Sequence, residues 1–387
     1  MPIHNGWLPR EGLTADPIFS FLGKSVLNPT CLLPLILAAR YTKRGEDLSI
    51  LHPLAFSRLK TLLYVGLAKW LSAKFSERVV NNFASDTYDW PNEIAVVTGG
   101  AGGIGGHVVR LLAERGVKVV VLDIQPMSFE TERKADQLMA GPEVHYYQCD
   151  LTSVANIKEV AAKVRADVGD PTILVNNAGI ARGKTILDTS ERDLKLTFDV
   201  NVFAHFYTVH EFLPAMVRRD HGMVVTVASY AAWLTVPNMV DYGASKAAAA
   251  SFHEGLAAEL KTRYAAPRVR TVLVNQGYTK TALFTGYHNA APFLVPALEP
   301  ESVADAIVAQ IFTGRSGQII TPKFGTALQM LRALPHWYSY RVRSKGENIM
   351  SNFNGRQVVE DVEKHYEGRD KSSPEAEGST VLVPEDK

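Results

Sequence analysis

The sequence predicts an α/β protein of three layers, with a central parallel sheet covered by helices on both faces in a doubly wound order. Two observations carry that prediction. Between residues 91 and 322, short runs rich in β-branched residues alternate with helical stretches, the order that generates βαβ units. The chain has 387 residues, 46% of them apolar and 21% charged, which is enough for a full core with extensions on either side. The first βα unit shows the pattern most clearly. "IAVVTGGAGGIGGHVVRLLAERG" opens with a buried strand from Ile94 to Val97, turns through glycines, and continues as a helix with apolar residues at helical spacing. "VKVVVLDI" then supplies a second strand ending in Asp123.

Outside residues 91–322 the character changes, and no internal repeat is present. Residues 1–90 form an apolar, helical N-terminal extension. Its most continuous apolar run, Ser25 to Ala39, is broken by Asn28, Pro29 and Pro34 and falls short of the roughly 20 residues that span a bilayer. It also starts too far from Met1 for a signal peptide. Downstream, "FSRLKTLLYVGLAKWLSAKF" mixes large apolar residues with Arg58, Lys60, Lys69 and Lys74, and reads as a basic amphipathic helix lying in a membrane interface or packed on the core. Residues 323–368 form a short C-terminal appendage. The Pro-, Ser- and Glu-rich tail, 369–387, is expected to be disordered.

The glycines give the first functional indication. Gly99, Gly103 and Gly105, set between a strand and a helix, permit a tight turn, close approach of a pyrophosphate, and close helix packing. With an acid about 20 residues on, this is the dinucleotide-binding pattern of a Rossmann fold. Asp123, at the end of the second strand, would accept hydrogen bonds from the adenosine ribose and repel a 2′-phosphate. No Lys or Arg in the loop offsets that repulsion, so NAD is expected and NADP is disfavoured. A net charge of +1 lacks the basic excess of nucleic-acid binders, and no metal-ligand spacing is found. Cys31 and Cys149 read as separate reduced thiols.

"VDYGASKAAAA" places Tyr242 and Lys246 four residues apart, so that on a helix both project from one face toward one reacting atom. Around the pair stand "TGGAGGIG" (Thr98 to Gly105), "CDLT" (Cys149 to Thr152), "NNAG" (Asn176 to Gly179), "DVN" ending at Asn201, and "VASYAA" containing Ser229. In order and spacing these six motifs resemble the short-chain dehydrogenase/reductase superfamily over roughly Glu93 to Thr321. The resemblance implies catalytic roles for Asn201, Ser229, Tyr242 and Lys246. It also implies cofactor contacts from Gly99, Gly103, Ile104, Gly105, Asp123, Asp150, Leu151, Asn177, Ala178, Gly179, Tyr242, Lys246 and Thr281. Tyr242 would be the general acid/base, its pKa lowered from about 10 by Lys246 and the nicotinamide charge. Ser229 would stabilise the substrate oxygen, and Asn201 would hold a water linking Lys246 to solvent. One departure stands out: after "RTVLVN" the superfamily usually has Pro-Gly, and here the pair is Gln276 and Gly277.

More loosely, "FLVPALEPESVADAIVAQIFTGRSGQIITPKF", followed later by "LRALPHW", together with the apolar extension, resembles the membrane- and lipid-droplet-associated retinol and 17-beta-hydroxysteroid dehydrogenase branch. That implies hydride transfer between NAD and a lipophilic alcohol or ketone. It also implies a place on the cytosolic face of the endoplasmic reticulum or lipid droplets, with a cytoplasmic location as the alternative. The loops "YAAWLTV" and "ALFTGYHNAAPFLVP" suit a greasy substrate pocket. The long helix after Tyr242 implies a homodimer by resemblance alone. An NADPH-dependent lipid ketone reductase and a non-catalytic NAD-binding or lipid-droplet protein remain the alternative readings.

Overall fold

The computed structural model describes residues 9–127, 144–289 and 291–355. Seven parallel strands form one sheet in the order β3-β2-β1-β4-β5-β6-β7, with β1 Ile94–Thr98, β2 Lys118–Asp123, β3 Val144–Gln148, β4 Ile173–Asn176, β5 Met223–Val227, β6 Arg270–Gln276 and β7 Gly317–Thr321. Because β-strand side chains alternate between faces, each central strand fills two cores at once. Val97, Val121, Val175, Val225 and Val274 point to one face, and Val96, Val120, Leu174 and Val224 to the other. Strands buried on both faces need continuous apolar runs, which explains "IAVVT" and "ILVN".

Among the described residues, four α-helices precede β1: α1 Ala15–Ser25, α2 Pro29–Tyr41, α3 Lys43–Leu51 and α4 Pro53–Val80. One face of the sheet carries α5 (Gly103–Ala113) and α10 (Pro300–Ile311); the other carries α6 (Val154–Asp167), α8 (Ala204–Arg219) and α9 (Val240–Thr262). The short α7, Glu191–Phe198, begins at a capping box between Ser190 and Asp193 and runs through a π-helical turn, Asp199–Phe203, into α8. After β7 come α11, Gly325–Gln329, and α12, His336–Ser344. The tail expected to be disordered, 369–387, lies outside the described residues, as does 356–368 of the appendage.

The N-terminal extension is helical as expected, and its local chemistry sets the breaks. Asn28 caps α2 by accepting from Thr30 N at 3.0 Å, Pro29 occupies the first turn, and α1 and α2 meet at a 41° bend. No single described helix is long and apolar enough to cross a membrane, although the bent α1–α2 pair meets that test by length and composition. The expectation of an amphipathic α4 needs correction. The helix forms, but its apolar residues lie all around it, and of 28 residues only Leu63 and Gly66 are buried. Leu54, Tyr64, Trp70, Leu71 and Phe75 are exposed.

The extension is fastened to the sheet domain at both ends. At its start, Arg10 pairs with Asp305 at 2.6 Å, Ala15 N donates to Phe293 O, and the Asp16 carboxylate accepts from the amides of Lys323 and Phe324. At its end, Ser316 N donates to Asn81 Oδ1 at 2.8 Å, and the buried Arg270 guanidinium donates to the carbonyls of Asn81 and Ala84. Tyr88 stacks on Trp90, which packs on Phe312.

Candidate active site

The glycine loop sits at the carboxyl end of β1, next to the strand β4 where the sheet order changes direction, the position at which open α/β sheets take ligands. Gly99 (φ +63°) and Gly105 are required here by close approach. A Cβ on Gly99 would lie 2.9 Å from Ala178 Cα, and one on Gly105 would meet the Gly99 carbonyl and Asn177 Nδ2. The loop is locked to the NNAG turn: Asn177 Nδ2 donates to the carbonyls of Thr98 and Gly99, and Thr98 Oγ1 accepts from Asn177 N and Ala178 N. Gly103 and Ile104 open α5, so the amino end of that helix faces the loop.

Asp123 ends β2, and its carboxylate accepts from Ala101 N and Gln125 N at 3.0 Å each, which places the charge beside the glycine loop. Asp150 follows β3; its Oδ1 accepts from Thr152 N and Thr152 Oγ1, and Leu151 beside it is buried. Thr281 closes the other side, its Cγ2 within 3.7 Å of where a Cβ on Gly103 would stand. The structure therefore gathers the residues expected to hold a dinucleotide around one cleft edge. Gln276, standing where the superfamily pattern has proline, ends β6; its side-chain oxygen is buried without a partner, and Gly277 N donates to Thr321 O.

Tyr242 and Lys246 lie one turn apart on α9, both 3% exposed, with the ammonium 5.8 Å from the phenol ring centre. Lys246 Nζ donates to Val227 O at 2.8 Å, and Ser229 Oγ accepts from Ala231 N and donates to Gln276 O. Burial pushes the Tyr242 phenol up to about 12, with the Ser229 hydroxyl pulling the other way, and pushes Lys246 down to about 8. The protein alone thus raises the tyrosine pKa, where the sequence pattern led to an expected lowering. Asn201 lies in the π-helical turn. Its Nδ2 donates to Ile180 O and Ser245 Oγ, and its Oδ1 accepts from Ile180 N, so the side-chain amide is a strut between the NNAG turn and α9.

Residues 93–291 match the family model described as short chain dehydrogenase. The chain belongs to the short-chain dehydrogenase family. It is therefore an oxidoreductase acting on alcohol or ketone groups. The dehydrogenase RED2 of Cochliobolus heterostrophus is 42% identical over 215 residues, covering 55% of this chain and 78% of that protein. Human epidermal retinol dehydrogenase 2 is 33% identical over 64% of this chain and 80% of its own length, and human estradiol 17-beta-dehydrogenase 11 is 36% identical over 63% and 79%. A Burkholderia cenocepacia short chain dehydrogenase solved in complex with NADP is 27% identical, with a TM-score of 0.52 over 65% of this chain and 98% of that one.

Several site residues carry no motif. The Phe284 ring meets Tyr242 edge-on at 5.4 Å, and Tyr230 stacks with Trp233 and donates to Pro322 O. Met350 and Phe353, from the C-terminal appendage, join the apolar cluster around Tyr242. The loop aromatics were foreshadowed by the apolar stretches after Ser229 and Thr281. Met350 and Phe353 sit in "ENIMSNFNG", whose polar majority gives no such signal.

Proposed function

We propose that this chain is an NAD-dependent dehydrogenase that interconverts a lipophilic alcohol and its ketone or aldehyde, with Tyr242 as general acid/base. The observation that carries the reading is Tyr242 itself: a phenol one helical turn from a buried lysine and surrounded by Ala181, Val236, Met239 and Phe284. Interlocked glycines at the carboxyl edge of the sheet leave backbone, free of side chains, where a pyrophosphate would rest, so the residues present fit a dinucleotide. Gly99, Gly103, Gly105 and the amino end of α5 would hold the phosphates, Asp123 the adenosine ribose, and Thr281 the carboxamide. The dinucleotide these residues would hold would supply the hydride acceptor for the carbinol carbon and a positive nicotinamide charge beside Tyr242.

In that setting Tyr242 Oη takes the hydroxyl proton. Lys246 opposes the burial that raises the phenol pKa, and Ser229 Oγ donates to the substrate oxygen. Asn201 holds the NNAG turn against α9 so that these groups keep their spacing. The Asp123 charge favours NAD, whereas the NADP of the Burkholderia relative leaves the reduced 2′-phosphate form as the competing reading. Names of relatives that specify retinol and estradiol support a lipophilic substrate. The exposed apolar residues of α1, α2 and α4 support attachment to the cytosolic face of the endoplasmic reticulum or of lipid droplets.

The test is turnover by the purified full chain on retinoids, steroids and long-chain alcohols with NAD or NADP, read by reduced-nicotinamide fluorescence. NAD should be preferred, and Asp123→Ser should shift the ratio of kcat/KM toward NADP by about five-fold or more, since one like charge a few ångströms away is worth about 1–4 kcal/mol. Turnover with neither dinucleotide on any substrate would end the reading. An unchanged ratio in the variant would remove Asp123 from cofactor choice.

A further inference from the structure

We propose that Met350 and Phe353, from a C-terminal segment outside the matched family region, form the wall of the substrate site that sets how large an apolar group it accepts. The proposal rests on the dehydrogenase reading above, and it concerns the one side of the site that neither the glycine loop nor the Ser229–Tyr242 pair supplies.

After α12 the chain turns and returns over the site. Two backbone bonds pair it with the loop that follows Thr281: His288 N donates to Ile349 O, and Asn354 N donates to Thr285 O, each at 2.9 Å. Between those bonds the segment points its two large apolar side chains inward. Met350 is 1% exposed and belongs to the same cluster as Tyr242, Ala231 and Met239. Phe353 meets Phe284 edge-on at 6.5 Å, and Phe284 meets Tyr242 edge-on at 5.4 Å, so a single ring separates Phe353 from the phenol.

The seat for this segment is built from residues far away in sequence. Gly183 (φ +67°), four residues past the NNAG turn, lies under the Phe353 ring, and any Cβ there would collide with it. Gly286 (φ +83°), on the substrate-side loop, lies against the Asn352 carbonyl in the same way. Two left-handed glycines on separate elements are thus shaped to this one segment. With the reacting oxygen held by Ser229 and Tyr242, the body of the substrate meets Phe284, Met350 and Phe353. A thioether beside an aromatic edge gives an adaptable apolar surface suited to lipid-like skeletons of differing shape.

The test compares the full chain with Met350→Ala and Phe353→Ala, and with Phe353→Leu as the conservative variant. Substrates are a short secondary alcohol, 2-butanol, and a bulky one, a 17β-hydroxysteroid. Shortening Phe353 should raise kcat/KM for the steroid relative to 2-butanol by about ten-fold or more, mainly through KM, the scale on which apolar pockets discriminate. The dissociation constant for reduced dinucleotide should stay within two-fold, and Phe353→Leu should fall between parent and alanine variant. A ratio unchanged within two-fold, with dinucleotide binding intact, would overturn the proposal. Variants that fail to bind dinucleotide are replaced by hydrogen exchange on the parent, in which the His288 and Asn354 amides should be slowed when the steroid is added with dinucleotide. If the parent turns over nothing but those amides are slowed, the wall stands and the dehydrogenase reading falls. If they are not slowed, the wall falls.

Discussion

The two longest helices among the described residues have opposite fates. The 23 residues of α9 bury ten, among them Tyr242, Ser245, Lys246 and His253, whereas the 28 residues of α4 bury two. The difference lies in side-chain size and placement. Runs of alanine in "SKAAAASF" let α9 press close to β5 and β6, which brings polar groups into a low-dielectric interior where their pKa values move. Leucine, tryptophan and phenylalanine on every side of α4 exceed what one packing face can cover, so most remain outside. On the proposed reading, buried polar groups on α9 carry the chemistry, and exposed apolar groups on α4 offer a surface for attachment.

The strongest way to break this contrast is one substitution on each helix. Tyr242→Phe should lower turnover by about 10²- to 10⁴-fold while reduced-dinucleotide binding persists, because only the proton-transferring oxygen is lost. Leu71→Ala on α4 should leave turnover within about two-fold. Steady-state rates on the purified full chain check both, and a Tyr242→Phe enzyme near parental activity would remove that residue from the chemistry.

Truncation sharpens the contrast further. A chain beginning at Lys74 lacks α1 to α3 and most of α4 but keeps Asn81 and Ala84, and should move from the membrane fraction to the supernatant, losing only the stability contributed by the Arg10, Ala15 and Asp16 contacts. A chain beginning at Asp89 also loses two of the three backbone acceptors of the buried Arg270 guanidinium, leaving Pro267 O, and should be less stable by about 3–6 kcal/mol, since each charge-assisted hydrogen bond is worth about 1.5–3 kcal/mol. Urea midpoints compare the two. Equal partitioning of the full chain and the Lys74 chain would defeat membrane attachment.

The smallest effect is a pH dependence in the linker. His221 pairs with Asp86 and Glu93, and the Glu93 hydrogen bond raises the imidazole pKa above its ordinary value. A raised histidine pKa gives stability that is complete below the unfolded-state value of about 6.5 and is lost as pH climbs through the folded-state value. Thermal stability should therefore decline over that rise by up to about 1 kcal/mol, and His221→Gln should flatten it. A parent that grows more stable over the same interval would contradict the assignment.

How far the sequence foretold all this differs by region, for physical reasons. The start of β1 at Ile94, the glycine loop, the end of β2 at Asp123 and the Tyr242–Lys246 pair were legible because each depends on residues close together in the chain. The pKa of Tyr242 was not, since it is set by desolvation from residues on four separate segments. Nor was the inward course of Ile349–Phe353, whose seat at Gly183 and Gly286 lies more than sixty residues upstream. The uniform apolarity of α4 could be read letter by letter, yet a few lysines and an arginine suggested a polar face that the helical geometry does not assemble.

The fastening of the extension at both ends of β7 has a directional consequence. Asp16 holds the backbone just beyond the strand's carboxyl end, and Asn81 holds it just before the amino end. A sheet mounted at two points cannot swivel about a tether as it would on a single linker. If α1 to α4 rest in a lipid surface, the cleft keeps one height and one heading above it. An apolar substrate confined to that surface then searches for the cleft in two dimensions instead of three.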